Sequence, residues 1–230
     1  MIRRRLDTFS ISVCCLLALP AVVPPLAAVS ALAGTNESPV IALHASRTVA
    51  KGDLCDFPPS QGIPCEDFTI EEVTHYGLRV YLIAAGVDSA TGISGVSCGL
   101  SVQGPLYVSW RLCADDEMEY GPWPWDGSGN RIEWTACNRT VFFDEDGVTA
   151  TAGYIYVYAY GDGSIGVTPN NASGDSQLVV VDCSQNAMPL ETNGGIVGFG
   201  TPGFNPCLGI VGTERSSWGR LKTQYGKTND

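Results

Sequence analysis

GVTATAGYIYVYAY, residues 147–160, places tyrosine at 154, 156, 158 and 160, with Ile155, Val157 and Ala159 between them. Alternate side chains of an extended chain share a face, so the four rings form one row and the aliphatic residues form another. A strand that is apolar or amphipathic on both faces belongs in the middle of a sheet, covered on both sides. The aliphatic row is expected to meet an opposing sheet. The tyrosines are expected to form cross-strand pairs, each worth about 0.2–1 kcal/mol. Tyr156 and Tyr158, at the centre of the row, are candidate ligand contacts if nothing covers them.

The same style continues to either side. Short runs rich in Val, Ile and Tyr alternate with clusters of Gly, Pro, Asn and Asp. They are VIALHA (40–45), YGLRVYLIAA (76–85), ISGVSCGLSV (93–102), LYVSWRLC (106–113), RIEWTA (131–136) and RTVFFD (139–144), then, beyond 147–160, QLVVVD (177–182) and GGIVGFG (194–200). About nine strands separated by turns predict an all-β chain, an antiparallel β-sandwich such as the immunoglobulin-like type. A helical period occurs only near the end, where Trp218, Leu221 and Tyr225 follow the potential cap Ser216. This predicts a short C-terminal helix or tail over 213–230, after a single sandwich domain over 34–212.

The first residues read as an address. Arg3, Arg4 and Arg5 precede an apolar stretch from Phe9 to about Ala28, and Ala31-Leu32-Ala33 has the small-x-small form of a signal-peptidase site. Pro20, Pro24 and Pro25 argue against a spanning helix, so residues 1–33 are expected to be a cleaved secretory signal. The whole chain of 230 residues has a net charge of −11; residues 34–230 carry 10 basic and 23 acidic residues, a net charge of −13. Such a chain is repelled by nucleic acid and by anionic membrane surfaces. Neither is expected as a partner, and no membrane insertion of the mature chain is expected. The destination is extracellular, periplasmic or cell-surface.

Seven cysteines lie beyond the signal, without the spacing of a zinc site. In an oxidising compartment they read as disulfides. Many pairings are possible, and context favours sequence neighbours: Cys55 with Cys65, Cys113 with Cys137, and Cys183 with Cys207. Closing a loop like the middle one contributes about 3 kcal/mol in the chain-entropy model. Cys98 shares parity with Val96, Leu100 and Val102 and is expected to be a buried free thiol.

Candidate sites are few. Asp115, Asp116, Glu117 and Glu119 form an acidic cluster that, on a loop, offers oxygen ligands for calcium, the one cofactor considered; otherwise none is expected. Trp123 and Trp125, within YGPWPWDGSGN (120–130), can be presented from a Pro/Gly loop to stack on sugar rings or fill a partner's pocket, or can instead plug the open end of a sandwich. No G-x-S-x-G occurs, and His44 and His75 adjoin strand-like runs, so no catalytic triad is expected. Paired carboxylates for glycoside hydrolysis cannot be singled out among so many acids.

GISGVSCGLSV (92–102) resembles the opening strand of cohesin-like bacterial sandwich modules. Taken with WRLCAD (110–115), GSGNRIEW (127–134), GVTATAGYIYVYAY (147–160), VTPN (167–170), VVDC (180–183), VGFG and FNPC (197–207), and SSWGRLKTQY (216–225), the chain resembles a group of uncharacterised secreted bacterial proteins. The resemblance implies export and a β-sandwich. It implies no reaction and no catalytic residues. The expected function is therefore a non-enzymatic extracellular binding or structural module for a glycan or protein. The alternatives are a polysaccharide hydrolase with paired carboxylates and a calcium-dependent carbohydrate-binding module.

Overall fold

The computed structural model describes residues 38–47, 55, 63–75, 77–143, 146–174, 176–190 and 194–209. The expected signal (1–33) and the expected C-terminal tail (213–230) lie outside the described residues.

The tyrosine-bearing stretch is a strand, β9 (Gly147–Ala159). It pairs antiparallel with β3 (Gly77–Val87) on one side and β5 (Leu106–Leu112) on the other. β1 (Val40–Ser46) lies beyond β3, and β8 (Val141–Phe143) joins the start of β9. The first sheet therefore runs β1-β3-β9-β5. Ile155, Val157 and Ala159 are fully buried, as a central strand facing a second sheet requires.

The second sheet is built round β4 (Ile93–Gln103). β7 (Gly129–Asn138) runs along one edge of β4, and β6 (Asp116–Tyr120) lies beyond β7. The other edge is filled in two lengths: β11 (Val179–Asp182) along Ile93–Ser97, and β10 (Gly163–Thr168) along Gly99–Gln103. Residues 169–178 are an excursion between two parts of what is, geometrically, one interrupted strand. β13 (Ile196–Phe199) flanks β10, with β2 (Glu71–Glu72) parallel to it, and β12 (Ala187–Pro189) flanks β11.

The nine segments read from the sequence all carry strands, and the fold is the expected antiparallel-rich sandwich. Four strands were not anticipated: β2, β6, β10 and β12. Between the sheets, Leu43, Val80, Leu82, Ile155 and Val157 pack with Val96, Cys98, Leu100, Ile132, Ile165 and Phe199. Each large aliphatic side chain so buried contributes about 1.5–3 kcal/mol. A second cluster sits on the outer face of β1 and β3, where Val40, Ala42, Tyr81, Ile83 and Ala85 are covered by Phe68 and the Cys65 and Cys207 side chains.

The disulfides correct the expected pairing. They are Cys55–Cys113, Cys65–Cys207 and Cys137–Cys183, with Cα–Cα distances of 5.2, 5.7 and 5.5 Å, while Cys98 is buried and unpaired. The weave of the chain explains the change. Ile93 pairs with Asn138 on one edge of β4 and with Asp182 on the other, so Cys137 and Cys183 meet across the start of that strand. They meet over Gly92, where φ is +68° and an added Cβ would lie 2.6 and 2.7 Å from the two sulfurs. Only glycine leaves room for that crossing.

Candidate functional site

β5 ends the first sheet and β6 ends the second. The sandwich is therefore open between these two edge strands, and a groove of about 540 Å³ lies there. Its lining brings together residues that the sequence offered separately: Glu117 and Glu119 from β6, and Trp123 and Trp125 from the following loop. Strand alternation selects the acids. Glu117 faces across to Ile132 and Glu119 to Asn130, both buried, so the two glutamates share the inward face of β6. Asp116 pairs with the exposed Glu133 and points the other way.

Trp110 of β5 bridges the opening. Its Nε1 donates to Glu117 Oε2 at 2.8 Å, and Asn130 Nδ2 donates to the same oxygen at 2.7 Å. Room for the indole comes from Gly153 on the neighbouring strand. A Cβ there would sit 2.3 Å from the Trp110 ring and 2.5 Å from the Arg111 carbonyl oxygen. Arg111 and Ser109, on the opposite parity of β5, complete that wall.

The two readings of the loop tryptophans divide between them. The loop turns back on itself: the Trp123 amide donates to Gly121 O, Trp125 N to Pro122 O, and Ser128 N to Trp125 O. That folding drives Trp123 into the core, 8% exposed, against Trp110 in an edge-to-face pair at 5.4 Å. Trp125 remains 43% exposed at the rim. Buried Trp123 Nε1 has no hydrogen-bond partner among the described residues.

Asp116, Glu117 and Glu119 of the acidic cluster lie on a strand rather than a loop. Asp115 Oδ2 accepts from the Thr135 amide at 2.7 Å and its hydroxyl at 2.8 Å, and these bonds hold its carboxyl below the usual carboxylate range. Asp115, Asp116 and the two glutamates thus serve three different surroundings. Among the described residues, no three His, Cys, Asp or Glu side chains are grouped to hold a metal ion.

Tyr156 and Tyr158 lie away from the groove, on the outer face of the first sheet. Tyr156 is 42% exposed opposite Arg79, and Tyr158 is half-buried opposite Tyr107, its ring 4.8 Å from Tyr160. Tyr154 packs with Tyr81 at 5.7 Å, beside the second cluster. His44 is buried, and its Nδ1 accepts the Thr69 amide at 3.0 Å. A second hollow, about 390 Å³, lies over Gly95 on the second sheet and contains none of the residues singled out from sequence.

Trp110 and Arg111 were not among the residues expected to contact a ligand. Trp110 alternates with Val108 and Leu112, which reads as core, and nothing local reveals that β5 is a sheet edge.

No protein family model and no curated protein matches the chain. Among solved structures, the chain is similar to a cohesin module from the family 33 glycoside hydrolase of Clostridium perfringens ATCC13124. The TM-score is 0.41 at 9% identity, covering 70% of this chain and 96% of that one.

Proposed function

We propose that the protein is an exported, non-enzymatic binding module that holds an extracellular ligand, glycan or protein, in the groove between β5 and β6. The observation that carries this reading is the convergence of Trp110, Trp123, Trp125, Glu117 and Glu119 in the groove between the edge strands β5 and β6. Flat aromatic walls supply contact area at low entropic cost, and a few polar groups fix orientation. Export is supported by three disulfides and by the signal-like first 33 residues.

The two tryptophans separate binding from packing. Trp125→Ala is expected to abolish retention on a panel of insoluble polysaccharides and immobilised extracellular proteins while leaving Tm within a few degrees. Trp123→Ala is expected to cost about 3–5 kcal/mol, because it empties a core position. If the Trp125 variant is retained like the wild type, the groove is not the binding surface.

A second reading is hydrolysis, favoured by the presence of Glu117 and Glu119 on one face of one strand, lining the same groove. Release of reducing ends from polysaccharides by the wild type, lost in Glu117→Gln and Glu119→Gln, would replace the binding reading with this one.

A further inference from the structure

We infer that the occupant of the β5–β6 groove is an extended polypeptide segment of a partner, added to the first sheet as a strand alongside β5. This rests on the groove being the binding site and names what enters it.

The main chain carries the argument. Among the described residues, β5 has one strand neighbour, β9. Just beyond the two ends of β5, Cys113 N donates to Ala152 O at 2.9 Å and Tyr160 N donates to Pro105 O at 3.0 Å. In an antiparallel ladder, bonding to a given neighbour recurs at every second residue. Residues 107, 109 and 111 therefore bond toward β9. The N–H and C=O groups of Val108, Trp110 and Leu112 point the other way, to the open edge. At the far end, Cys55 Sγ lies 3.7 Å from Leu112 O and closes that position. Among the described residues, Val108 and Trp110 are left with two donors and two acceptors in one row, which is the template an added strand requires.

The shape of the groove agrees. It is lined by all five residues from Val108 to Leu112. Consecutive strand residues point to opposite faces, so a groove that touches all five follows the strand's edge rather than either face. Its run is roughly 17 Å at about 3.4 Å per residue, enough for a segment of about five residues. Across from the edge, Trp123, Pro124 and Trp125 offer an apolar wall for alternate side chains of the guest, and Trp123 Nε1 is a buried donor still without a partner among the described residues. Glu117 and Glu119 against Arg111 leave the lining one negative charge in excess. A guest carrying a lysine or arginine is favoured over an acidic one.

A phage-displayed library of linear 12-residue peptides, panned against the purified full chain, supplies the probe. Enriched peptides are expected to alternate apolar and polar residues, to carry a basic residue, and to lose at least tenfold affinity for the Trp125→Ala protein. Glu119→Gln is expected to weaken basic peptides several-fold. N-methylation of the enriched peptide then reads the main chain itself. Methylating one alternate set of amides is expected to abolish binding, and methylating the other set is expected to leave it nearly intact. Amides of Val108 and Trp110 are expected to exchange quickly in the free protein and to become protected in the complex. Equal effects of both methylation sets, or protection of those amides already in the free protein, overturn strand addition. Trp125-dependent retention on a polysaccharide with no enriched peptide overturns it too, while leaving the binding-module reading intact. Absence of any Trp125-dependent ligand removes both.

Discussion

Cys98, between the sheets, and His44, on the outer face of β1 beside Phe68 and Tyr81, are both buried, and burial shifts them in opposite ways. The Cys98 thiol is completely enclosed, and desolvation of the thiolate pushes it up to about 12. It should not react with a thiol reagent at pH 8 in the native protein, then release one equivalent in guanidinium without reductant. Stoichiometric labelling of the native state would contradict the burial. His44 is pulled down to about 4, first by burial, against the opposing pull of Glu72. A histidine kept neutral in the fold but free to protonate when unfolded withholds no stability above its ordinary pKa of 6.5. As pH falls from 6.5 toward 4, the unfolded state gains a proton that the folded state refuses, and stability drops by up to about 3 kcal/mol. The stability difference between His44→Gln and the wild type should therefore shrink across that window. A pH-independent difference would show that His44 protonates in place. Of these residues, Cys98 was legible because parity with Val96 and Leu100 is a local signal. Which of Trp123 and Trp125 turns inward was not, since a Pro/Gly loop turning inward has the same composition as one turning outward.

At the scale of elements, hydrophobic alternation located every strand that contributes substantially to the two-sheet core except β10. It failed for β6, whose sequence DEMEY carries three acids in five residues. That strand exists because β7 offers it an edge and because one of its two acidic parities is spent inside, where Glu117 accepts from Trp110 and Asn130. Strand propensity measures fit to a half-buried pleated surface more than any property of the strand alone, so β6 could not be seen without β5 and β7. The placement of the acidic cluster was hidden for the same reason: a loop gathers neighbouring carboxylates, while a strand deals them to opposite faces. Gly153 offers a test of how tightly β5, β6 and β9 are coupled. Gly153→Ala inserts a methyl into the space of the Trp110 ring. It should cost about 1–3 kcal/mol by overpacking and shift the Trp110 indole N–H resonance as the bond to Glu117 is lost. An unchanged resonance with unchanged Tm would mean the indole has room elsewhere.

At the scale of the whole molecule, the chain crosses repeatedly between sheets, with β3, β5 and β9 in one and β4, β7 and β10 in the other. Sequence neighbours are therefore seldom spatial neighbours, which is why pairing adjacent cysteines failed three times over. Peptide mapping without reduction should recover 55–113, 65–207 and 137–183 as the linked pairs. These bridges differ in what else they do. Loop entropy assigns about 5 kcal/mol to the 142-residue separation of Cys65–Cys207 and about 4 kcal/mol to the 58-residue separation of Cys55–Cys113. Those values are close because the cost grows only with the logarithm of length. Cys65 and Cys207, however, also roof the second cluster over Tyr81 and Ile83, and they are joined there by Asn205 Nδ2 donating to Cys65 O at 2.8 Å. Removing that bridge by Cys65→Ala with Cys207→Ala should therefore cost clearly more than the entropic difference allows, and should raise binding of a hydrophobic dye to the native protein. Cys55→Ala with Cys113→Ala should lower the guanidinium midpoint without raising dye binding. Indistinguishable losses, with no dye response in either variant, would mean that the roof stays in place without its covalent tie and that loop entropy alone sets the stability of this sandwich.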